Sequence, residues 1–328
     1  MSALVAAFGS SHSVMLTCTL EDWQGRFLER DRAIGYFDRN GRPCTYDDLL
    51  VATPPGSAHL VEPAAVERRY REVEAAIARL KRDIEDARLD VLIICGDDQN
   101  EVFSSAHMPS IAVYYGETIH NKARPEVPPA DWYARAQSIR QEPGAARDYP
   151  CDAKLAGAVI EGLIARGFDP SALSALPPGQ GEGHAFSFVH RFYLPEGKVP
   201  IVPVFLNTFY PPNQPTPARC VALGQALASI ITEVPGDLRV GLMASGGLSH
   251  FHVEEELDQQ VVDALKTRDT NALAAIDPLL VQSGSSEIRN WMVIAGAVSH
   301  LSLQWLSYTP GYRTPALTGT GLTFAAWG

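Results

Sequence analysis

The sequence predicts an α/β fold: a single domain, residues 1–328, on a central sheet that is mostly parallel or mixed and is flanked by helices. Three observations carry that expectation. Largely apolar runs of buried-strand type recur at residues 4–8, 91–95, 111–115, 201–206 and 238–244. Amphipathic helical stretches alternate with them. Small or polar residues follow several of these runs directly, where open α/β sheets hold ligands beyond the carboxyl ends of their strands.

Residues 4–8 lead into Gly9, Ser10, Ser11 and His12. Residues 21–36 read as a helix, with Trp23, Phe27 and Ile34 on one face. Turn chemistry follows at 38–43, then a short helix at 46–52 that Pro54, Pro55 and Gly56 end, with His59 just beyond. The clearest helix is 62–89, where Val66, Tyr70, Val73, Ile77, Leu80 and Ile84 form one apolar stripe. The strand at 91–95 runs into Gly96, Asp97, Asp98, Gln99, Asn100 and Glu101. Residues 132–141 and 153–166 have helical patterns, and 170–183 is a loop leading to His184. Thr216 caps a helix over 216–232 with Pro217 at its first position. The strand at 239–244 enters a tight turn at Gly246 and Gly247, which delivers His250 to the strand's carboxyl end. Helices are expected at 254–266, 271–281 and 286–300, the last with Glu287 in its first turn. The tail, 301–328, shows no clear period from residue 308 on and is expected to close the active site or form an interface.

Composition excludes several function classes. The formal net charge is −11, from 27 basic and 38 acidic residues, so the surface repels phosphate backbones and no nucleic-acid partner is expected. There is no apolar run of the roughly 18 residues that span a membrane, and no membrane partner is expected. The N-terminal residues lack a basic stretch and read as a first strand rather than a secretion signal. Five cysteines without CxxC spacing fit a reducing cytoplasm and argue against a thiolate metal site. A serine nucleophile elbow would need Gly at the Met243 position, and neither GxGxxG after the first strand nor GxxxxGK[ST] is present.

What remains is histidine and carboxylate chemistry. His12, His59, His184 and His250 each follow small or turn residues near a strand end or loop, and Asp97, Asp98 and Glu287 have similar settings. Two imidazoles and one carboxylate are the minimum for a facial triad that leaves positions on iron(II) open. These candidates lie far apart in the chain, so spacing alone leaves scattered structural histidines equally open.

Taken in order, the motifs resemble those of the class III (LigB-type) extradiol ring-cleavage dioxygenases, catalytic subunit. The resemblance rests on Ser10-Ser11-His12-Ser13, His59 after its Pro-rich break, and Asp97-Asp98 after the 91–95 strand. It continues through Gly183-His184, Val202 to Asn207, Pro217 to Gly224, Ser245 to His250, and Glu287 to Trp291. A narrower likeness is to the single-chain branch near 3-O-methylgallate dioxygenases. The resemblance implies a LigB-like fold with non-haem Fe(II) as cofactor and O2 as co-substrate. It implies that His12, His59 and Glu287 hold the metal, that His250 is the acid/base histidine and that His184 is the second active-site histidine. It implies substrate contacts at Asp97, Asp98 and Ser249, and a homo-oligomer, with a dimer favoured. The implied substrate is a small aromatic diol of the protocatechuate, gallate or methylgallate kind, opened to a semialdehyde-type product. Gly183 stands where the family usually has Asp, and Asp98 where the strand end is often His. Two alternatives stay open: a metal-dependent hydrolase on the same residues, and a Memo-type binding protein without enzymatic activity.

Overall fold

Residues 1–38 and 42–328 are described by the computed structural model, so the turn expected at 38–43 lies partly outside them. One nine-stranded sheet organises the chain. In chain order its strands are β1 (Ala3–Ser10), β2 (Val91–Asp97), β3 (Ile111–Tyr114), β4 (Ser171–Leu173) and β5 (Ile201–Leu206), then β6 (Arg239–Ser245), β7 (His250–His252), β8 (Leu303–Tyr312) and β9 (Thr318–Trp327). The spatial order is β7-β9-β1-β6-β2-β5-β3-β4, with β8 paired to β9. Four strands, β1, β6, β2 and β5, run parallel. Antiparallel neighbours extend them, β9 beside β1 and β3 beside β5. The sheet is therefore mixed around a parallel centre.

The apolar runs are continuous because both faces of the parallel centre are covered. Every residue of β2 and β5 is buried. Val91, Ile93 and Cys95 face one hydrophobic core, and Leu92 and Ile94 face the other. The first core is completed by α2 (Ala153–Ala165), α4 (Pro217–Glu233), α5 (Glu255–Thr267) and α6 (Ile288–Ala297). The second is completed by α1 (Pro63–Asp86) and α3 (His184–Phe192). Among the described residues no helix is long and apolar enough to cross a membrane.

Several elements differ from the sequence reading. The loop expected at 170–183 contributes the short strand β4, and the helix expected at 286–300 is a 3-10 turn, Ser283–Glu287, followed by regular helix only to Ala297. The helix expected at 271–281 stops at Ala274, ahead of Pro278. The helix expected at 21–36 opens with a π-helical turn, Asp22–Arg26, before regular helix at Phe27–Ala33. The tail without a period is a β-hairpin whose second strand, β9, is buried at all ten positions between β8 on one side and β1 and β7 on the other. Burial on both faces removes the alternation by which a strand is read from sequence.

Two close approaches set the position of α6. A Cβ on Gly224 would lie 1.8 Å from the carbonyl oxygen of Val293, and one on Gly296 would lie 2.0 Å from that of Val221. The reciprocal glycines let α4 and α6 pack backbone against backbone. Gly9 of β1 leaves room for the Trp291 ring, which a Cβ there would meet at 2.3 Å. The start of α6, where Glu287 sits, is thereby pressed onto the carboxyl edge of the sheet.

Candidate metal centre

The carboxyl ends of β1, β2 and β6 converge, and the side chains that follow them meet. One ligand atom each from His12, Asp97, His184 and Glu287 lies within 4.8 Å of the others, and all four residues are buried. His12 Nε2 is 3.3 Å from Glu287 Oε2 and 3.7 Å from Asp97 Oδ1. His184 Nε2 is 3.6 Å from Asp97 Oδ2, and His250 Nε2 is 3.3 Å from Glu287 Oε2.

The other nitrogen of each ring decides what Nε2 can do. Ser245 Oγ donates its single hydrogen to the carbonyl of Ala185 at 2.7 Å. The 3.0 Å contact between Ser245 Oγ and His12 Nδ1 therefore has the imidazole as donor. His250 Nδ1 donates to the carbonyl of Leu248 at 3.0 Å. His184 Nδ1 donates to Glu101 Oε2 at 2.5 Å. All three imidazoles are tied at Nδ1, so in their neutral form Nε2 is a lone pair aimed at the carboxylates. This is how outer partners orient metal-ligating histidines. His12 Nε2, His250 Nε2 and Asp97 Oδ1 are buried without a hydrogen-bond partner. Acceptors gathered this way, imidazole with carboxylate, suit a divalent first-row metal, whose positive charge offsets their mutual repulsion.

The turn after β6 is stitched to the start of α6. The Gly247 N–H donates to Glu287 Oε2 at 2.8 Å, Asn290 Nδ2 donates to the Ser245 carbonyl at 2.9 Å, and Trp291 Nε1 donates to the Gly246 carbonyl at 2.8 Å. A Cβ on Gly246 would lie 3.1 Å from the Cβ of Glu287, and one on Gly247 would lie 2.6 Å from His250 Cε1. The glycine pair makes room for Glu287 and for the His250 ring.

Charge is strongly coupled here. Burial opposes a charge on His184, but the Glu101 and Asp97 carboxylates hold its pKa up to about 9. Burial pushes Glu101 up, yet the His184 charge and hydrogen bond bring it down to about 2. Burial and the Glu287 charge raise Asp97. Burial acts on Glu287 in the same direction, but the His250 and His12 imidazoles outweigh it and hold that carboxyl below the usual range.

A family model, the catalytic LigB subunit of aromatic ring-opening dioxygenase, matches residues 54–322. The chain belongs to the LigB family. This LigB chain is 31% identical over 197 residues to a gallate dioxygenase of Pseudomonas putida, covering 55% of the chain and 56% of that protein. It is 24% identical over 178 residues to a 2,3-dihydroxyphenylpropionate/2,3-dihydroxicinnamic acid 1,2-dioxygenase of Comamonas testosteroni, covering 54% and 48%. The matches thus span about half the length of these curated relatives. A solved structure, an uncharacterized protein of Escherichia coli K12, aligns with 76% of the chain and 92% of its own at a TM-score of 0.43 and 14% identity.

The centre gathers five of the residues singled out in the sequence: His12, Asp97, His184, His250 and Glu287. His59 stands apart. It is exposed on a 3-10 turn, Ser57–Val61, that follows a left-handed Gly56, and its Nδ1 hydrogen-bonds the Gly56 carbonyl at 2.7 Å. A contact from Arg69 to the Leu60 carbonyl pins that turn to α1. Asp98 is turned inward, its two oxygens accepting from the Val102 and Phe103 N–H groups at 2.8 and 3.1 Å. Burial raises its pKa to about 6 despite those bonds. Ser249 is also buried, with Oγ donating to Asp258 at 2.7 Å and accepting from the Glu254 N–H at 3.0 Å. Neither Asp98 nor Ser249 lines the cavity at the centre, which has a volume of about 280 Å³. Its walls instead carry Arg30, Tyr133, Arg140, Arg313 and Thr320, the last two from the tail. In the sequence Ser245 entered only as the first residue of the Ser245–His250 motif and Glu101 only through the polar run after β2; Arg140 and Arg313 carried no signal of their own.

Proposed function

We propose that this chain is an Fe(II)-dependent extradiol dioxygenase acting on a catecholic aromatic acid. The observation that carries the proposal is the convergence of three imidazole Nε2 atoms, each fixed at Nδ1, on two buried carboxylates. His12, His184 and Glu287 would hold the metal, with Asp97 beside them. His184 takes the place as second histidine donor that the family resemblance assigned to His59. The chemistry a bound iron(II) supplies is chelation of two adjacent ring oxygens and activation of dioxygen.

The chain's own residues do the rest. His184 carries a proton in the metal-free centre and gives it up when it becomes a ligand, so loading with metal releases protons. His250 is the acid/base group. Its Nδ1–H is held by the Leu248 carbonyl, so Nε2 is free to take a proton from a ring hydroxyl and to return it later in the reaction. Ser245 keeps the ligating face of His12 turned to the cavity. Arg30 and Arg140 on the cavity wall suit a carboxylate on the ring. Gallate and dihydroxyphenylpropionate, named for the two relatives, both carry one.

The test is oxygen uptake by protein loaded anaerobically with Fe(II) and then given catechol, protocatechuate and gallate. The expected result is stoichiometric oxygen consumption with formation of a coloured ring-opened product. Absence of uptake with every diol, or turnover of an ester or amide by the zinc-loaded protein without oxygen, overturns the proposal.

A further inference from the structure

The cavity at the centre does not end at His250. A second lobe of about 290 Å³ lies beyond it, and the two share Phe209, His250, Phe251, Ser283 and Gly284 as walls. The lobes differ in character. The first carries Arg30, Arg140 and Glu101. The second exposes mainly apolar surface, from Pro211, Leu257, Leu279 and Leu280 besides the shared Phe209 and Phe251, although Gln214, His252, Glu254 and Gln282 also line it.

Phe251 is the partition. It lies directly after His250, and its backbone is left-handed at φ 67°, a conformation that bulky residues rarely hold. The residue is 37% exposed, so core packing does not account for that strain. Gly284 opposite has no side chain to collide with it: a Cβ there would lie 2.2 Å from the His250 carbonyl oxygen and 2.8 Å from Phe251 Cδ2. Leu279 and Leu280 are 63% and 41% exposed, an arrangement that costs free energy in water unless something apolar covers them.

We propose that the second lobe is a substrate subsite for an apolar substituent, an alkyl chain or second ring, on the aromatic diol, and that Phe251 determines how large that substituent can be. The inference rests on the reading that the diol meets the metal centre. From that position a substituent on the His250 side of the ring is directed toward Phe251, which walls both lobes. Polar groups on the opposite side of the ring meet the guanidinium groups of the first lobe.

The experiment is calorimetric titration of the metal-loaded protein, without oxygen, by 4-alkylcatechols of increasing chain length and by 4-alkylphenols, which keep the tail but lack the adjacent oxygens. Affinity for both series should rise by about fourfold per methylene until the lobe is full. Phe251→Ala should extend the rise to branched and phenyl tails that the wild type rejects. Leu279→Ser with Leu280→Ser, both exposed and so compatible with folding, should flatten it. No dependence on chain length in the wild type overturns the proposal. So does a dependence that the double variant leaves unchanged while its oligomeric state shifts, which would make this face a contact between copies. Catechols that bind more tightly than phenols with no chain-length effect sink the subsite and keep the diol reading. Equal binding of the two series with a clear chain-length effect does the reverse.

Discussion

The loop after β1 and the turn before α1 each present a histidine behind small residues, His12 and His59. In the first, the chain leaves a buried strand, and the side chain is received by Ser245 from the neighbouring strand. In the second, the chain leaves a Pro-Pro-Gly break into a 3-10 turn, and the ring nitrogen is satisfied three residues back by Gly56. A strand end hands its side chain to residues far away in sequence. A helical turn satisfies its side chain locally. The difference lies in which partners the backbone geometry leaves within reach.

Four substitutions test that contrast, from the largest expected effect to the smallest. Glu287→Ala removes the carboxylate facing both His12 and His250. Bound iron, measured by elemental analysis, should be lost and oxygen uptake should fall by about a thousandfold or more, with the circular dichroism spectrum retained. Retained iron at full occupancy would remove Glu287 from the ligand set. Ser245→Ala leaves the His12 ring in place but frees its Nδ1. Metal affinity should weaken by about 10–100-fold, and Ser245→Thr should restore part of it. An unchanged affinity would show that His12 needs no such support.

Glu101→Gln breaks the pair with His184, and its effect is read as stability of the metal-free protein. His184, raised to about 9, contributes stability that is fully present below its unfolded value of about 6.5 and is lost as pH rises through about 9. Glu101, lowered to about 2, contributes stability that is present above about 4.5 and is lost as pH falls through about 2. The gap between wild type and variant in urea denaturation should therefore be widest between about pH 4.5 and 6.5. Because Glu101 keeps 29% of its side chain open to solvent, the gap should be about 1–3 kcal/mol there. A gap that widens toward pH 9 would reverse the charge assignment. His59→Ala should be the smallest, within about twofold of wild type in metal affinity and activity. Loss of metal comparable to that of Glu287→Ala would mean that the Ser57–Val61 turn closes onto the centre during loading.

Legibility in the sequence followed the same divide. The parallel strands β1, β2, β5 and β6 were readable because burial on both faces writes a continuous apolar run. His12, His184, His250 and Glu287 stood out because each follows turn residues at an element boundary. Ser245 opened one of the quoted motifs and failed as a nucleophile, and neither reading gave its role. Its work, accepting from His12 while donating to the Ala185 carbonyl, spans three elements and leaves no local pattern. Asp97 and Asp98 were indistinguishable as neighbours. Their side chains point to opposite sides of the strand end, so one joins the candidate metal centre and the other accepts from the Val102 and Phe103 N–H groups. The β8–β9 hairpin was hidden because its Gly- and Thr-rich strand is buried throughout and does not alternate.

The sequence by itself determined the sheet's parallel centre, the edge on which the candidate residues gather and the residue types available there. Strand periodicity and turn chemistry are local properties, set by neighbours a few residues away. Only the tertiary structure decided which candidates meet. The approach of α6 through Gly224 and Gly296, the Nδ1 partners of three imidazoles and the outward place of His59 all depend on contacts between residues remote in the chain. Those contacts exist only once the two hydrophobic cores have closed on the sheet.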